Sequence, residues 1–119
     1  MKILCVDDSN DIAGMLKDVL EAHGHYVYSC NNGLDALSLI KKENFNLILL
    51  DLSMPGFSGT DVIESLAKTD LMPDLNIVIL SAEDLTKSQI IEFEQKGVKG
   101  FMQKPVRIDE ILELIKKFE

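Results

Sequence analysis

Apolar residues recur along the chain in two alternating patterns. Short unbroken runs occupy Lys2 to Val6, Tyr26 to Cys30, Asn46 to Leu50, Asn76 to Leu80 and Gly100 to Gln103, each of strand length and most of them rich in Ile, Val, Leu or aromatic residues. The second and fifth are the weakest. Between the runs, apolar residues return every three or four positions, most clearly at Ile12, Met15, Leu16, Val19 and Leu20, and again at Ile108, Ile111, Leu112 and Ile115. That spacing lines one face of a helix. Leu37 with Ile40, Val62-Ile63 with Leu66-Ala67, and Ile90-Ile91 with Phe93 mark three further helices. Ser58-x-x-Asp61 and Thr86-x-x-Gln89 read as capping boxes, and Gly24 and Gly97 stand where helices would stop.

Strict alternation of strand and helix predicts right-handed crossovers and an α/β fold with a parallel sheet covered on both faces. Leu47 to Leu50 and Ile77 to Leu80 are then continuously apolar because neither side of those strands meets water. In such a sheet every strand opens its C-terminal end on the same edge, where ligands bind.

Composition narrows this without changing it. The chain has 119 residues, 46% hydrophobic and 27% charged, enough for one core, and no Pro/Ser-rich linker divides it. Residues 1 to 119 therefore read as a single domain, with no output domain after Glu119. The net charge of -8 would repel a phosphate backbone, which argues against direct nucleic-acid binding. The apolar start breaks off at Asp7-Asp8, too soon for a signal-peptide core or a membrane span, so the expected location is the cytoplasm. Cys5 and Cys30 lack any metal-binding spacing and read as two buried free thiols. His23 and His25, flanking Gly24, read as turn residues rather than ligands.

The chemistry concentrates where the apolar runs end. Asp7 and Asp8 follow the first run, Asp51 the third, Ser81 the fourth and Lys104 the fifth, so parallel strands would gather three carboxylates, a hydroxyl and an ammonium at the ligand edge. Singly, each has an ordinary explanation. Asp8 or Ser9 could simply start the first helix, Ser81 could be a turn residue, Lys104 a solvated charge and Phe101 plain core. Their coincidence at separate strand ends is what points to a site. Crowded carboxylates repel unless a cation neutralises them, and an all-oxygen donor set suits Mg²⁺, with Mn²⁺ as the alternative.

Four segments carry a resemblance to a known family: Ile3-Leu4-Cys5-Val6-Asp7-Asp8-Ser9, Leu50-Asp51-Leu52-Ser53-Met54-Pro55-Gly56 with Gly59, Leu80-Ser81-Ala82, and Gly100-Phe101-Met102-Gln103-Lys104-Pro105. In order and spacing they resemble the receiver domain of two-component response regulators, chemotaxis receivers included, over the whole length. The resemblance implies a doubly wound, five-stranded (βα)5 flavodoxin-like fold with strand order 2-1-3-4-5. It implies that Asp51 is the phosphoacceptor, that Asp8, Asp51 and the Ser53 carbonyl ligate Mg²⁺ while Asp7 acts through water, and that Lys104 pairs with the phosphoryl group. Ser81 would bond a phosphoryl oxygen and Phe101 would swing inward in response. Ser53 and Glu83 would flank the site and tune hydrolysis, and Lys104-Pro105 would be cis.

The same resemblance implies a phosphohistidine donor on a sensor histidine kinase or phosphotransfer protein, and a downstream protein at the face of strand 4, helix 4, strand 5 and helix 5. The domain would be a monomer or a phosphorylation-dependent dimer, and would catalyse only its own phosphorylation and dephosphorylation. Switching it almost fully requires a bias of about 5 kcal/mol, within reach of a few charge-assisted hydrogen bonds. A flavin protein of similar architecture would need neutral phosphate-loop donors where this chain has Asp7-Asp8-Ser9-Asn10-Asp11, and an aspartate-nucleophile phosphatase would need Asp-x-Asp after the first strand. A receiver-like interaction module that is no longer phosphorylated is the remaining alternative.

Overall fold

The first apolar run forms strand β1 (Lys2–Val6), and Ser9 then starts helix α1 (Asn10–Ala22) by accepting from the Ile12 amide. Strand β2 (Tyr26–Cys30) leads to α2 (Gly33–Lys42), β3 (Leu47–Asp51) to α3 (Gly59–Ala67), β4 (Ile77–Ser81) to α4 (Lys87–Lys96), and β5 (Gly100–Gln103) to α5 (Ile108–Lys116). A single 3-10 turn, Met72–Asp74, interrupts the alternation. This computed structural model describes every residue from Met1 to Glu119.

The five strands are parallel in the order β2-β1-β3-β4-β5, so the order reverses between β1 and β3. Alternate side chains divide between two cores. Leu4, Val6, Ile48, Leu50, Ile77 and Ile79 face α2, α3 and α4, whereas Ile3, Cys5, Leu47, Leu49, Val78 and Leu80 face α1 and α5. Burying one such aliphatic side chain is worth about 1.5 to 3 kcal/mol, so these central strands anchor the sheet and hold their own C-terminal ends in place.

Both expected capping boxes form, at Ser58 with Asp61 and at Thr86 with Gln89. Gly97 ends α4 at φ 112°, a left-handed turn that favours glycine. Three details differ from the expectations. Strands β3 and β4 begin and end one residue later than the apolar runs, because Asn46 and Asn76 spend their side chains bonding across the lower rim: Asn46 Oδ1 accepts from the Lys2 amide at 2.7 Å and Asn76 Nδ2 donates to the Asn46 carbonyl at 2.9 Å. Cys30 is only half-buried, since β2 is an edge strand, and it packs on the face of the sheet opposite Cys5. His25 is more than a turn residue: its ring is largely buried and lies 2.9 Å from the Met1 amine and 3.6 Å from Glu119.

Candidate functional site

Each polar residue of interest sits at or just past the C-terminal end of a strand, where pairing fixes its backbone. Asp7 follows β1, and its amide donates to the Cys30 carbonyl at 3.1 Å. Asp51 ends β3 opposite Leu80, and the Leu52 amide donates to the Leu80 carbonyl. Lys104 leaves β5 with its amide bonded to the Ser81 carbonyl at 2.8 Å. The Lys104-Pro105 bond is cis.

These backbones bring the side chains together. Asp7, Asp8 and Asp51 each contribute a carboxylate oxygen, and the three atoms lie within 4.8 Å of one another. Asp7 and Asp51 are 1% and 2% exposed, while Asp8 faces solvent. Lys104 Nζ reaches Asp7 Oδ2 at 2.9 Å and Asp51 Oδ2 at 3.3 Å. Local amides hold the other oxygens, from Ser9 to Asp7 Oδ1 at 2.8 Å and from Ser53 to Asp51 Oδ1 at 3.1 Å.

One ammonium against three carboxylates leaves the cluster over-charged. Burial, and then the neighbouring Asp7 charge, push the Asp51 carboxyl above its ordinary pKa, although the Ser53 amide and Lys104 oppose the shift. For Lys104, burial works to lower the pKa, but Asp7 and Asp51 outweigh it and the ammonium is held above its usual value. Lys104 is the one cation beside Asp7 Oδ2 and Asp51 Oδ2, so two buried carboxylates share a single counter-charge. An all-oxygen cluster of three carboxylates against one ammonium, with an exposed carboxylate at its mouth, fits a hard divalent cation.

Ser81 and Phe101 occupy the next stretch of the same edge. They point to the same side of the sheet, since Ile79 pairs with Phe101 and Ser81 lies two residues further along β4. Together with Glu83, Asp84, Leu85 and Ile90 they line a cavity of about 250 Å³ beneath the loop into α4. Phe101 is half-buried, its ring 6.4 Å from that of Phe93. The Ser81 hydroxyl donates to the Glu83 carbonyl at 2.9 Å and accepts from the Glu83 amide at 3.2 Å. The Glu83 and Ser53 side chains are exposed, and Glu83 lines this cavity.

Comparison with known proteins agrees with this arrangement. Residues 3–116 match the model of the response regulator receiver domain. The chain belongs to the response regulator receiver family. This receiver domain is 32% identical to sporulation initiation phosphotransferase F of Bacillus subtilis, over 98% of this chain and 92% of that protein. It is 34% identical to chemotaxis protein CheY-3 of Vibrio cholerae, over 88% and 81% of the two chains. Among solved structures it superposes on the Francisella response regulator 1452 receiver domain with a TM-score of 0.87 at 31% identity, covering 98% of this chain and 94% of the other. With Thermotoga maritima TrrA, solved in complex with Mg(2+)-BeF, the TM-score is 0.85 at 30% identity, covering 99% and 98%. The family places this receiver domain in two-component phosphorelay signalling, as a response regulator with an acidic cluster suited to phosphorylation.

Two supporting residues of the receiver site escape a reading by chemistry alone. Ser9 both caps α1 and supplies the amide that fixes Asp7; its place directly after two aspartates carries only the capping half of that signal. Gly59 starts α3 against the acceptor strand, where an added Cβ would collide with the Asp51 carbonyl oxygen and lie 2.8 Å from Leu52 Cα. A glycine at the first position of a helix signals such close approach only once the neighbouring backbone is known.

Proposed function

We propose that Asp51 accepts a phosphoryl group from a phosphohistidine on a sensor kinase or phosphotransfer protein, in a reaction that requires Mg²⁺. The observation that carries this reading is the convergence of three carboxylate oxygens within 4.8 Å beside a single ammonium. Asp8, Asp51 and the Ser53 carbonyl would hold the cation, with Asp7 acting through water. When bound, Mg²⁺ supplies positive charge to the phosphoryl oxygens.

The chain's own groups do the rest. An Asp51 carboxylate oxygen forms the new bond to phosphorus as the phosphorus–nitrogen bond of the donor breaks, and the departing imidazole takes its proton from solvent. Transfer proceeds through a loose transition state, so positioning and charge suffice. Lys104, already 3.3 Å from Asp51, exchanges its carboxylate partner for a phosphoryl oxygen. Ser81 leaves Glu83 and donates its hydroxyl to another. Phe101 then turns toward the vacated cavity, altering the face formed by β4, α4, β5 and α5, where a downstream protein docks. Ser53 and Glu83 at the rim set the rate at which water removes the phosphoryl group.

The protein acts on itself alone and works in the cytoplasm, a location its two free thiols fit; no helix is long and apolar enough to cross a membrane. Incubation with a small phosphodonor and Mg²⁺, followed by intact mass measurement, tests the proposal. The expected result is one phosphoryl mass added to the wild type and none to Asp51→Asn. A wild-type protein that gains no mass overturns it.

A further inference from the structure

Gly33 is remote from the carboxylate cluster in sequence and belongs to a different helix, yet it abuts the loop that leaves Asp51. It is the first residue of α2 and is buried. An added Cβ would fall far inside 3.0 Å of the Phe57 carbonyl oxygen, 3.0 Å from Phe57 Cδ1 and 3.1 Å from the Phe57 carbonyl carbon. Two of these three are backbone atoms, so a side-chain rotation cannot relieve the contact. The backbone of Gly33 does not need a positive φ; clearance, not conformational freedom, is what the position demands.

Either α2 or the loop would have to give way. Helix α2 has little room, because Ala36 and Ile40 are 0% and 4% exposed in the core and Asn32 caps its start through the Asp35 amide at 2.8 Å. The loop is anchored in the core by Met54, but Ser53, Pro55 and Gly56 on either side of it face solvent and leave the backbone freer than the helix. Its ends are tied, with the Leu52 amide on the Leu80 carbonyl and the Gly59 amide on the Leu52 carbonyl at 3.1 Å. A push at Phe57 would therefore be absorbed between Ser53 and Phe57, the stretch carrying the Ser53 amide that holds Asp51 Oδ1 and the carbonyl next to it.

We propose that Gly33 is a positioning residue for phosphoryl transfer, seating the β3–α3 loop against the start of α2 so that the Ser53 backbone is presented correctly to Asp51 and its cation. The inference rests on the reading of Asp51 as acceptor. Errors of about 1 Å at a reacting centre can cost two orders of magnitude in rate, so a shift confined to the loop has a measurable result.

The test compares Gly33→Ala with Gly14→Ala, whose added methyl meets nothing within 4 Å, and with Ile40→Val, a small core truncation in α2 beyond its first turn. Mg²⁺ affinity is read from amide shifts and phosphorylation from intact mass. Gly33→Ala should keep a cooperative melt while binding Mg²⁺ about tenfold more weakly and accepting phosphate more slowly at saturating Mg²⁺; both controls should match the wild type. Should Gly33→Ala fail to fold, Asn32→Ala decides the matter by loosening the first turn of α2, with weaker Mg²⁺ binding expected. Mg²⁺ affinity within twofold of wild type in the folded variant overturns the proposal. Failure of the wild type itself to take phosphate would instead strike at the acceptor reading.

Discussion

The Ser81 hydroxyl is bound to the backbone of Glu83, donating to its carbonyl at 2.9 Å and accepting from its amide at 3.2 Å. Ser81 is thus engaged by its own loop, and a phosphoryl oxygen on Asp51 must compete with these bonds, each worth about 1 kcal/mol net. A charged acceptor wins such a competition because charge-assisted bonds are roughly twice as strong.

Ser81→Ala therefore separates acceptance from switching. Asp51, Lys104 and the carboxylates remain, so phosphoryl incorporation should persist, slowed by roughly tenfold to a hundredfold, the scale of one lost hydrogen bond to a charged group. The response of Phe101 should vanish. Ring resonances of Phe101, recorded with and without phosphodonor, check this; a wild-type shift of Phe101 in Ser81→Ala would show that the hydroxyl is not the link.

Asp51 gives a pH dependence whose sign can be worked out. Burial and the Asp7 charge raise its carboxyl in the folded protein, so the folded chain holds that proton at pH values where the unfolded chain, near 3.9 for an ordinary Asp, has released it. The resulting penalty is absent below about pH 3.9, grows as pH rises through the raised folded value, and is complete above it. In chelator at pH 7.5, Asp51→Asn should melt higher than wild type, and the gap should close near pH 4. Equal melting at pH 7.5 would mean that Lys104 already cancels the repulsion.

The fold was almost wholly legible because the central strands are buried on both faces and therefore spell unbroken apolar runs, while Ser58, Thr86 and Gly97 mark helix ends with side chains that have few other uses there. The edges of those runs were less clear: Asn46 and Asn76 look like strand residues until their side chains are seen bonding across the rim. Within the site, the convergence of Asp7, Asp8, Asp51 and Lys104 followed from parallel topology alone. What stayed hidden depended on distances between backbones, as at Gly33 and Gly59, or on a hydroxyl's choice of partner, as at Ser81. The apolar run around Cys30 reads as buried on its own, and only the strand order, which puts β2 at the sheet's edge, shows why the thiol is half-exposed.

Asp8 differs from its two partners in exposure. Its solvated carboxylate makes no ion pair or hydrogen bond, so Asp8→Asn should change stability in chelator by less than about 0.5 kcal/mol. Added Mg²⁺ should separate the proteins. At a hundred times its dissociation constant the cation would stabilise the wild type by about 2.7 kcal/mol, whereas Asp8→Asn, one ligand short, should gain far less at the same concentration. Thermal melts with and without Mg²⁺ provide the measurement, and equal gains would remove Asp8 from the ligand set.

Lys104 has the opposite profile. It lies 2.9 Å from one buried carboxylate and 3.3 Å from another, and its removal would leave Asp7 and Asp51 side by side without a counter-charge. Breaking a buried pair in this way costs about 3 to 5 kcal/mol; partial exposure of the ammonium brings the expectation for Lys104→Met to the lower end, about 3 kcal/mol in chelator. The same change strengthens the field felt by a cation, because a competing positive charge has gone. Lys104→Met should therefore recover more stability from Mg²⁺ than the wild type gains and bind it more tightly, while accepting phosphate more slowly for want of the ammonium. Melting curves and a Mg²⁺ titration read the first two effects and intact mass the third. Weaker Mg²⁺ binding in Lys104→Met would show that the lysine shapes the cation site rather than competing with it.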